Sequence, residues 1–325
     1  MIEEITNLEK VSKRLIKTKY REATVHSYSK VEEILELMYN KEFPNSKIEW
    51  ENPVTYSDKI LVSQVYNANI TKSKLSDKLY AKEYVKNIIG KDIVIPTYSV
   101  AENFDNLDFK NIPNDFVIKA NHDSGSMTKI IDGMTLEDKE YLKKKFDTIL
   151  EINPSFLFFE MQYSSISPKV FIEKSIPNFK DFVQYDFYMF DGKIYSVSDR
   201  FFDENNVCQH CWRYKNFEPI GIKLVSPDCK TDKVDEIIRR KPKNYEKMVE
   251  IAEILGKDFD HVRIDLYSDG DTIYFSEFTF TFNNGFFDYT NNFNYEIGKQ
   301  WNFKSNRSKL YNKPFSKNPR NGGIN

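Results

Sequence analysis

Charged residues set inside runs that alternate like buried strands constrain this chain more than any other feature. His261 to Gly285 reads H-V-R-I-D-L-Y-S-D-G-D-T-I-Y-F-S-E-F-T-F-T-F-N-N-G. Val262, Ile264 and Leu266 alternate with Arg263, Asp265 and Tyr267, the period of a strand with one apolar and one polar face. Asp269-Gly270 supplies a turn, and Thr272 to Phe282 returns as a second run rich in Tyr, Phe, Ile and Thr. The two runs form a hairpin.

Arg263, Asp265 and Glu277 fall in stretches that should be mostly buried, where an unpaired charge is costly. Side chains alternate with period two, so a connecting loop with an odd number of residues puts Asp265 and Glu277 on one face, whereas a two-residue loop separates them. The odd loop is the expectation. Two carboxylates facing one point with a guanidinium beside them make an oxygen-rich site suited to Mg²⁺ and phosphate. An internal ion pair of Arg263 with either carboxylate satisfies the same residues without any ligand.

At 325 residues the chain exceeds one ordinary core, and two or three lobes are expected. The 47 basic and 49 acidic residues leave a formal charge of -2, so no global field attracts nucleic acid or a membrane surface, and any anion site is local. No apolar run approaches the roughly 20 residues of a membrane span, and the Met-Ile-Glu-Glu start lacks a basic segment followed by an apolar one. A cytoplasmic location is expected. Cys208, Cys211 and Cys229 are too few and too unevenly spaced for a disulfide framework, and Cys208-Gln209-His210-Cys211 resembles half of a zinc or redox motif but lacks the second close pair of a structural zinc site.

Leu8, Val11, Leu15, Val31, Ile34, Leu35 and Met38 recur at helical spacing and read as packing stripes without catalytic residues. Thr55 or Ser57 caps a further helix. Asp77 opens another, with Lys78 in its first turn, where a cation is disfavoured unless an anion is near; Gly90 ends it, and Ile93 to Pro96 then reads as a short strand. Phe116 to Lys119 is a short strand, followed by the small polar loop Asn121 to Thr128 and a second strand from Lys129. Backbone N–H groups of such a loop can fold over phosphates, with Lys119 reaching them. Val170 to Ile172 is a buried strand ending at Glu173, whose exposed backbone can meet an adenine edge. Phe182 to Phe190, the Asp191-Gly192 turn and Lys193 to Ser198 form a hairpin in which Gln184 or Asp186 could face a ribose. Residues 199 to 232, with Asp199, Arg200, Arg213 and Lys215, read as polar loops, either facing a substrate or plain surface. Residues 242 to 256 form an amphipathic helix.

In this order, E-N-P-V-T-Y-S-D-K-I, S-D-K-L-Y-A-K-E-Y-V, F-V-I-K-A-N-H-D-S-G-S, E-M-Q-Y, F-I-E-K, F-Y-M-F-D-G-K and R-I-D…S-E-F-T-F resemble the ATP-grasp superfamily, most closely its TupA-like branch, named for teichuronopeptide biosynthesis. The similarity covers roughly residues 50 to 290. It implies an α+β fold of two lobes clamping ATP: a helical N-terminal region at 1–74, a smaller lobe with the phosphate loop at 75–177 and a larger lobe with the metal site at 178–325. By resemblance, Lys78 and Lys119 hold the phosphates under a loop that includes Ser124, Gly125 and Ser126. Glu173 with Lys174 and Ile176 meets adenine, and Gln184 or Asp186 meets ribose. Asp265 and Glu277 bind Mg²⁺, Arg263 clamps the phosphate or acyl phosphate, and Lys215 stands over the transferred phosphoryl. Three positions depart from the pattern: Asp123 where relatives tend to have Gly, Gln184 where an acid is usual at the ribose, and Thr279 where many have a metal-binding Asn.

The chemistry implied is an ATP-dependent carboxylate–amine ligation through an acyl phosphate, in bacterial surface or capsular polysaccharide synthesis, for example amidating a uronic acid. The implied partners are a small-molecule or glycan-linked carboxylate, an amine and other enzymes of polysaccharide assembly. A kinase on the same fold, or a nucleotide-binding partner without catalysis, would use the same parts.

Overall fold

The computed structural model describes residues 2–4, 6–202, 208–225 and 241–315. Its strands are β1 (Ile2–Glu4), β2 (Thr97–Ala101), β3 (Phe116–Ala120), β4 (Thr128–Ile130), β5 (Val170–Lys174), β6 (Val183–Phe190), β7 (Lys193–Phe202), β8 (Cys208–Tyr214), β9 (Leu224–Val225), β10 (His261–Ser268), β11 (Ile273–Thr279) and β12 (Asp288–Tyr289). The helices are α1 (Leu8–Thr24), α2 (Tyr28–Glu42), α3 (Tyr56–Tyr66), α4 (Ile70–Ser76), α5 (Lys78–Ile88), α6 (Leu136–Leu150), α7 (Ser155–Phe158), α8 (Tyr245–Gly256), α9 (Phe293–Lys299) and α10 (Arg307–Leu310). Two five-stranded sheets, ordered β1-β4-β3-β5-β2 and β11-β10-β6-β7-β8, pair antiparallel throughout, and with the helices make an α+β fold.

Local chemistry accounts for the main boundaries. The Thr55 side chain accepts from the Asp58 N–H while the Asp58 carboxylate accepts from the Thr55 N–H, a capping box that starts α3. Asp77 accepts from the N–H groups of Leu79 and Tyr80 and fixes the start of α5, which places Lys78 at its first residue. Asp191 and Gly192, with φ of 46° and 72°, join β6 to β7 as a two-residue hairpin whose left-handed backbone matches the strand twist. A side chain at Gly192 would also press within 2.6 Å of the Lys257 carbonyl.

The alternation of β10 separates two environments. Val262, Ile264 and Leu266 join Phe187 and Val197 in a core closed by Met248, Ile251, Ala252 and Leu255 of α8. Each of these side chains larger than alanine contributes roughly 2 kcal/mol. Arg263, Asp265 and Tyr267 face the other way. A second core packs α6 on the first sheet through Phe146, Ile149, Ile118 and Ile172, and a third gathers α2 and α3 with Phe156 and Phe159.

Three expectations change. Residues 1–74 are not wholly helical, because β1 extends the first sheet by pairing with β4. Ile93 to Pro96, which reads as a strand, forms a short 3₁₀ turn over Lys91–Ile93 and one isolated bridge from Val94 to Phe275. The start of the polar region at 199 to 232 is not loop: β7 continues to Phe202, and β8 pairs alongside it. Asp199 and Arg213 lie buried there, with Arg213 Nε donating to Asp199 Oδ1 at 2.8 Å, so the two charges read as surface are an internal pair. Residues 203–207 and 226–232 of that stretch lie outside the described residues, as do Cys229 and the Cys208 side chain; Cys211 is a buried free thiol.

Candidate active site

Asp265 and Glu277 are direct cross-strand partners, but not through an odd loop. Ser268 pairs with Ile273, so the loop Asp269–Thr272 holds four residues, and an even loop alone would set Asp265 opposite Ser276. A bulge between Asp265 and Leu266 absorbs Ser276 as the extra residue and shifts the register by one. The two carboxylates thereby reach one face.

That face carries more charge than the hairpin alone suggests. Asp186 of β6 is the partner of Asp265 on its other side, which makes a row of three carboxylates across β6, β10 and β11. Arg263 grips Asp265 with two bonds, Nε to Oδ1 at 2.7 Å and Nη2 to Oδ2 at 2.5 Å, so the internal ion pair is present. Its third nitrogen, Nη1, is buried without a partner, an orphaned donor beside a cavity. The Thr279 hydroxyl lies 3.2 Å from Asp265 Oδ2 and 3.4 Å from Glu277 Oε1, between the two acids.

The neighbouring acids are driven apart electrostatically. Burial opposes ionisation of Asp186, yet Arg200 and Arg263 hold its carboxyl below the usual range. Burial pushes Asp265 up to about 7, helped by Asp186 and Glu277 and resisted by Arg263. A cation at Asp265 and Glu277 would therefore relieve a standing repulsion. Among the described residues no group of three or more acidic, histidine or cysteine side chains is arranged to hold a metal. Two carboxylates with the remaining ligands from phosphate oxygens and water are the manner in which Mg²⁺ is commonly held, so the donor set fits that ion.

The phosphate-loop residues fold down on this face. Asn121, His122, Asp123 and Ser126 are buried and Ser124 is exposed, while Gly125 takes a left-handed φ of 80°. Lys78 donates through Nζ to the Asp123 carbonyl. Lys119 sits 2.5 Å from Glu173, and Lys82, one turn beyond Lys78 in α5, binds the other Glu173 oxygen at 2.6 Å. Burial opposes the charge on Glu173, but the two lysines hold its carboxyl down. The Glu173 side chain is thus committed to lysines rather than free for adenine, and the Lys174 N–H is committed to the Pro96 carbonyl at 2.9 Å. Lys174, Thr97 and Tyr274 line a 510 Å³ cavity beside this cluster, and Ile176 is buried.

Gln184 and Asp186 bond to each other at 2.7 Å, and Gln184 also donates to Asp265 at 3.3 Å, so both are engaged with the carboxylate row. Lys215 is elsewhere. It follows β8, 2.5 Å from Glu253 of α8, the helix that covers the apolar face of the sheet opposite Arg263.

A 370 Å³ cavity brings together Arg263, Glu277, Arg200, the loop residues Asp123 to Gly125, Glu160 and Arg14. Three of these are not among the site residues that the sequence suggests. Arg200 read as loop or surface and is 3.3 Å from Asp186. Glu160 stood out only within E-M-Q-Y. Arg14 belongs to a helix read as packing alone, and donates to the Ser124 carbonyl at 3.1 Å.

The family model of TupA-like ATP-grasp proteins matches residues 58–301. The curated proteins contain no sequence match. Solved structures similar to the chain include D-alanine–D-alanine ligase from Bacillus anthracis complexed with ATP, at 16% identity, 66% of this chain, 58% of that one and a TM-score of 0.38. They also include D-alanine–D-alanine ligase from Helicobacter pylori, at 15% identity, 70% of this chain, 59% of that one and a TM-score of 0.37. D-cycloserine synthetase DcsG matches at 12% identity, 71% of this chain, 70% of that one and a TM-score of 0.38. The chain spans less than two thirds of the length of either D-alanine–D-alanine ligase. Among the described residues no helix is long and apolar enough to cross a membrane. On the family match, which takes in the hairpin, the phosphate loop and the strand ending at Glu173, the chain belongs to the TupA-like ATP-grasp family.

Proposed function

We propose that the protein is an ATP-dependent, ADP-forming ligase that joins a carboxylate to an amine. The observation that carries this is the cross-strand placement of Asp265 and Glu277 beside Arg263, with Glu277 and Arg263 in one cavity wall with residues 123–125. A carboxylate is a poor electrophile, and phosphorylation by ATP makes it a good one; the protein positions the groups and offsets charge. Asp265 and Glu277 would hold Mg²⁺, which would offset the charge of the nucleotide phosphates. Lys119, Lys82 and Lys78 supply cations near the loop, and residues 124–126 supply its backbone N–H groups. Lys174 and Tyr274 line the cavity that would take the base, and Ile176, two residues beyond Lys174, is buried. The unpartnered Arg263 nitrogen is available to a phosphoryl or acyl-phosphate oxygen.

The wider setting in this proposal is cytoplasmic synthesis of a surface polysaccharide, with a uronic acid or glycan-linked acid as the carboxylate. The test is ADP release across sugar acids and amines. Release that requires both an acid and an amine is expected. ADP release with an acceptor hydroxyl or other phosphate acceptor and no amine, yielding a stable phosphorylated product, would make the protein a kinase instead.

A further inference from the structure

Glu160 is a charged group of the cavity to which nucleotide binding gives no task. Phe159 takes a left-handed φ of 59° at the end of α7, and the next residue, Glu160, reaches into the cavity shared with Arg263, Glu277 and the phosphate loop. All its hydrogen-bond donors are neutral. The Thr281 hydroxyl donates to Oε1. Gln162 Nε2 donates to that same hydroxyl at 2.9 Å, which leaves the Thr281 proton free to point at the carboxylate. With its amide nitrogen turned toward Glu160, Asn284 donates at 2.7 and 3.2 Å. Asn283 and Asn284 both hold left-handed backbone, with φ of 43° and 54°, to form this wall, and such strain collects at functional sites.

Among the described residues no lysine or arginine pairs with Glu160 within ion-pair distance, although Asp123 and Glu277 add negative charge around it. A carboxylate held in place by donors yet lacking a counter-charge, in a cavity beside the acyl-phosphate position, is built for a cation that arrives with a ligand. We infer that Glu160 receives the acceptor amine as its ammonium ion and takes its proton, so that the acceptor is a primary amine or ammonia. This rests on the ligase reading and deepens it. One N–H proton passes to Glu160, and the freed lone pair attacks the acyl carbon. The new C–N bond forms as the bond from acyl carbon to phosphate oxygen breaks. The second nitrogen proton leaves with the phosphate, and Glu160 returns its proton to water. Burial, with Asp123 and Glu277, pushes the Glu160 carboxyl up to about 7 against Thr281 and Lys78, which suits proton acceptance near neutrality. Arg14, Arg200 and Arg263 are the other charges lining the cavity.

The experiment separates the two half-reactions. Positional isotope exchange in ATP labelled at the β,γ-bridge reports acyl-phosphate formation with D-glucuronate or D-galacturonate alone. ADP release with ammonium, glycine or methylamine added reports the second half. Hydroxylamine, uncharged at neutral pH, traps the acyl phosphate without an ammonium site. Glu160→Gln should keep exchange and hydroxamate formation within about threefold of wild type, while amine-dependent ADP release falls by about 10²-fold. Thr281→Ala, which only loosens the carboxylate, should lose about tenfold in the amine step. Equal loss of exchange and ADP release in Glu160→Gln, or no loss in either, overturns this inference and leaves the ligase reading standing. Wild-type protein that shows no exchange with any acid overturns the ligase reading, and this one with it.

Discussion

Glu173 is buried and Glu160 partly buried in a cavity wall, and the chain treats the two carboxylates in opposite ways. Glu173 stands between Lys82 and Lys119 at 2.6 and 2.5 Å and is held ionised. Glu160 has only a hydroxyl and an amide, and burial drives it toward the neutral form. A compensated acid belongs to the scaffold, since its charge is already satisfied. An uncompensated one is free to answer a ligand. Asp265 lies between these cases: Arg263 grips it with two bonds, yet burial and two acidic neighbours still push it up to about 7.

That intermediate position gives the largest expected effect. Asp265→Asn and Glu277→Gln should each lower Mg-ATP turnover by about 10³-fold or more, roughly 4 kcal/mol, while the melting transition stays cooperative. The check is ADP release beside a thermal melt. Undiminished turnover in either variant would place the metal elsewhere and remove Asp265 from the comparison.

Glu173→Ala comes next, and its first effect is on folding. It leaves Lys82 and Lys119 facing one another without their shared counter-ion, and breaking such a buried pair costs about 3–5 kcal/mol. Urea unfolding should show the unfolding free energy fall by that amount, as a lower midpoint at an unchanged m-value. A loss below about 1 kcal/mol would mean that the lysines relax to water and that Glu173 is no better compensated than a surface acid.

The two glutamates also predict opposite slopes of stability with pH. The folded-state pKa of Glu173 is lowered, so its contribution is present above its unfolded value and is lost on acidification. That of Glu160 is raised to about 7 from 4.5, so the folded state binds the proton more tightly and stability falls as pH rises between those values. Glu160→Gln should remove that decline. The gain at pH 8 should be about 2 kcal/mol, after allowing for screening on the side open to the cavity. Melting curves from pH 4.5 to 8 would show the wild-type slope flattened in the variant; parallel curves would mean that Glu160 is compensated after all.

How far the sequence reveals these features depends on how local each signal is. Alternation in β10 and β11 marks the carboxylate face because strand period is a property of neighbours in sequence. The bulge at Ser276 has no such mark: nothing in Y-F-S-E-F distinguishes an absorbed residue from a paired one, so the right face was expected through the wrong loop. Lys82 reads like any solvated helical lysine, because its partner Glu173 lies 91 residues away. Arg14 meets Ser124 across 110 residues and hides in a helix that looks like packing alone. Asp199 and Arg213 neutralise each other on adjacent strands, and two charges that cancel only in space look like surface when read in order.

Lys215 offers the smallest effect and a clean contrast with Glu160. Both carry charge near the middle of the chain, but resemblance pointed to Lys215 and burial points to Glu160. Lys215 is half-exposed, and its partner Glu253 sits on the outer helix, behind the apolar face of the sheet. Exposed ion pairs of this kind contribute about 0–1 kcal/mol. Lys215→Ala should therefore leave amine-dependent ADP release within about twofold and stability within about 0.5 kcal/mol. A loss of turnover by about 10²-fold with stability intact would mean that the segment around 215 moves through the sheet edge to reach the phosphoryl group. In that event the division between compensated and free charges would no longer locate the chemistry, since Lys215 is compensated in the structure and would be catalytic all the same.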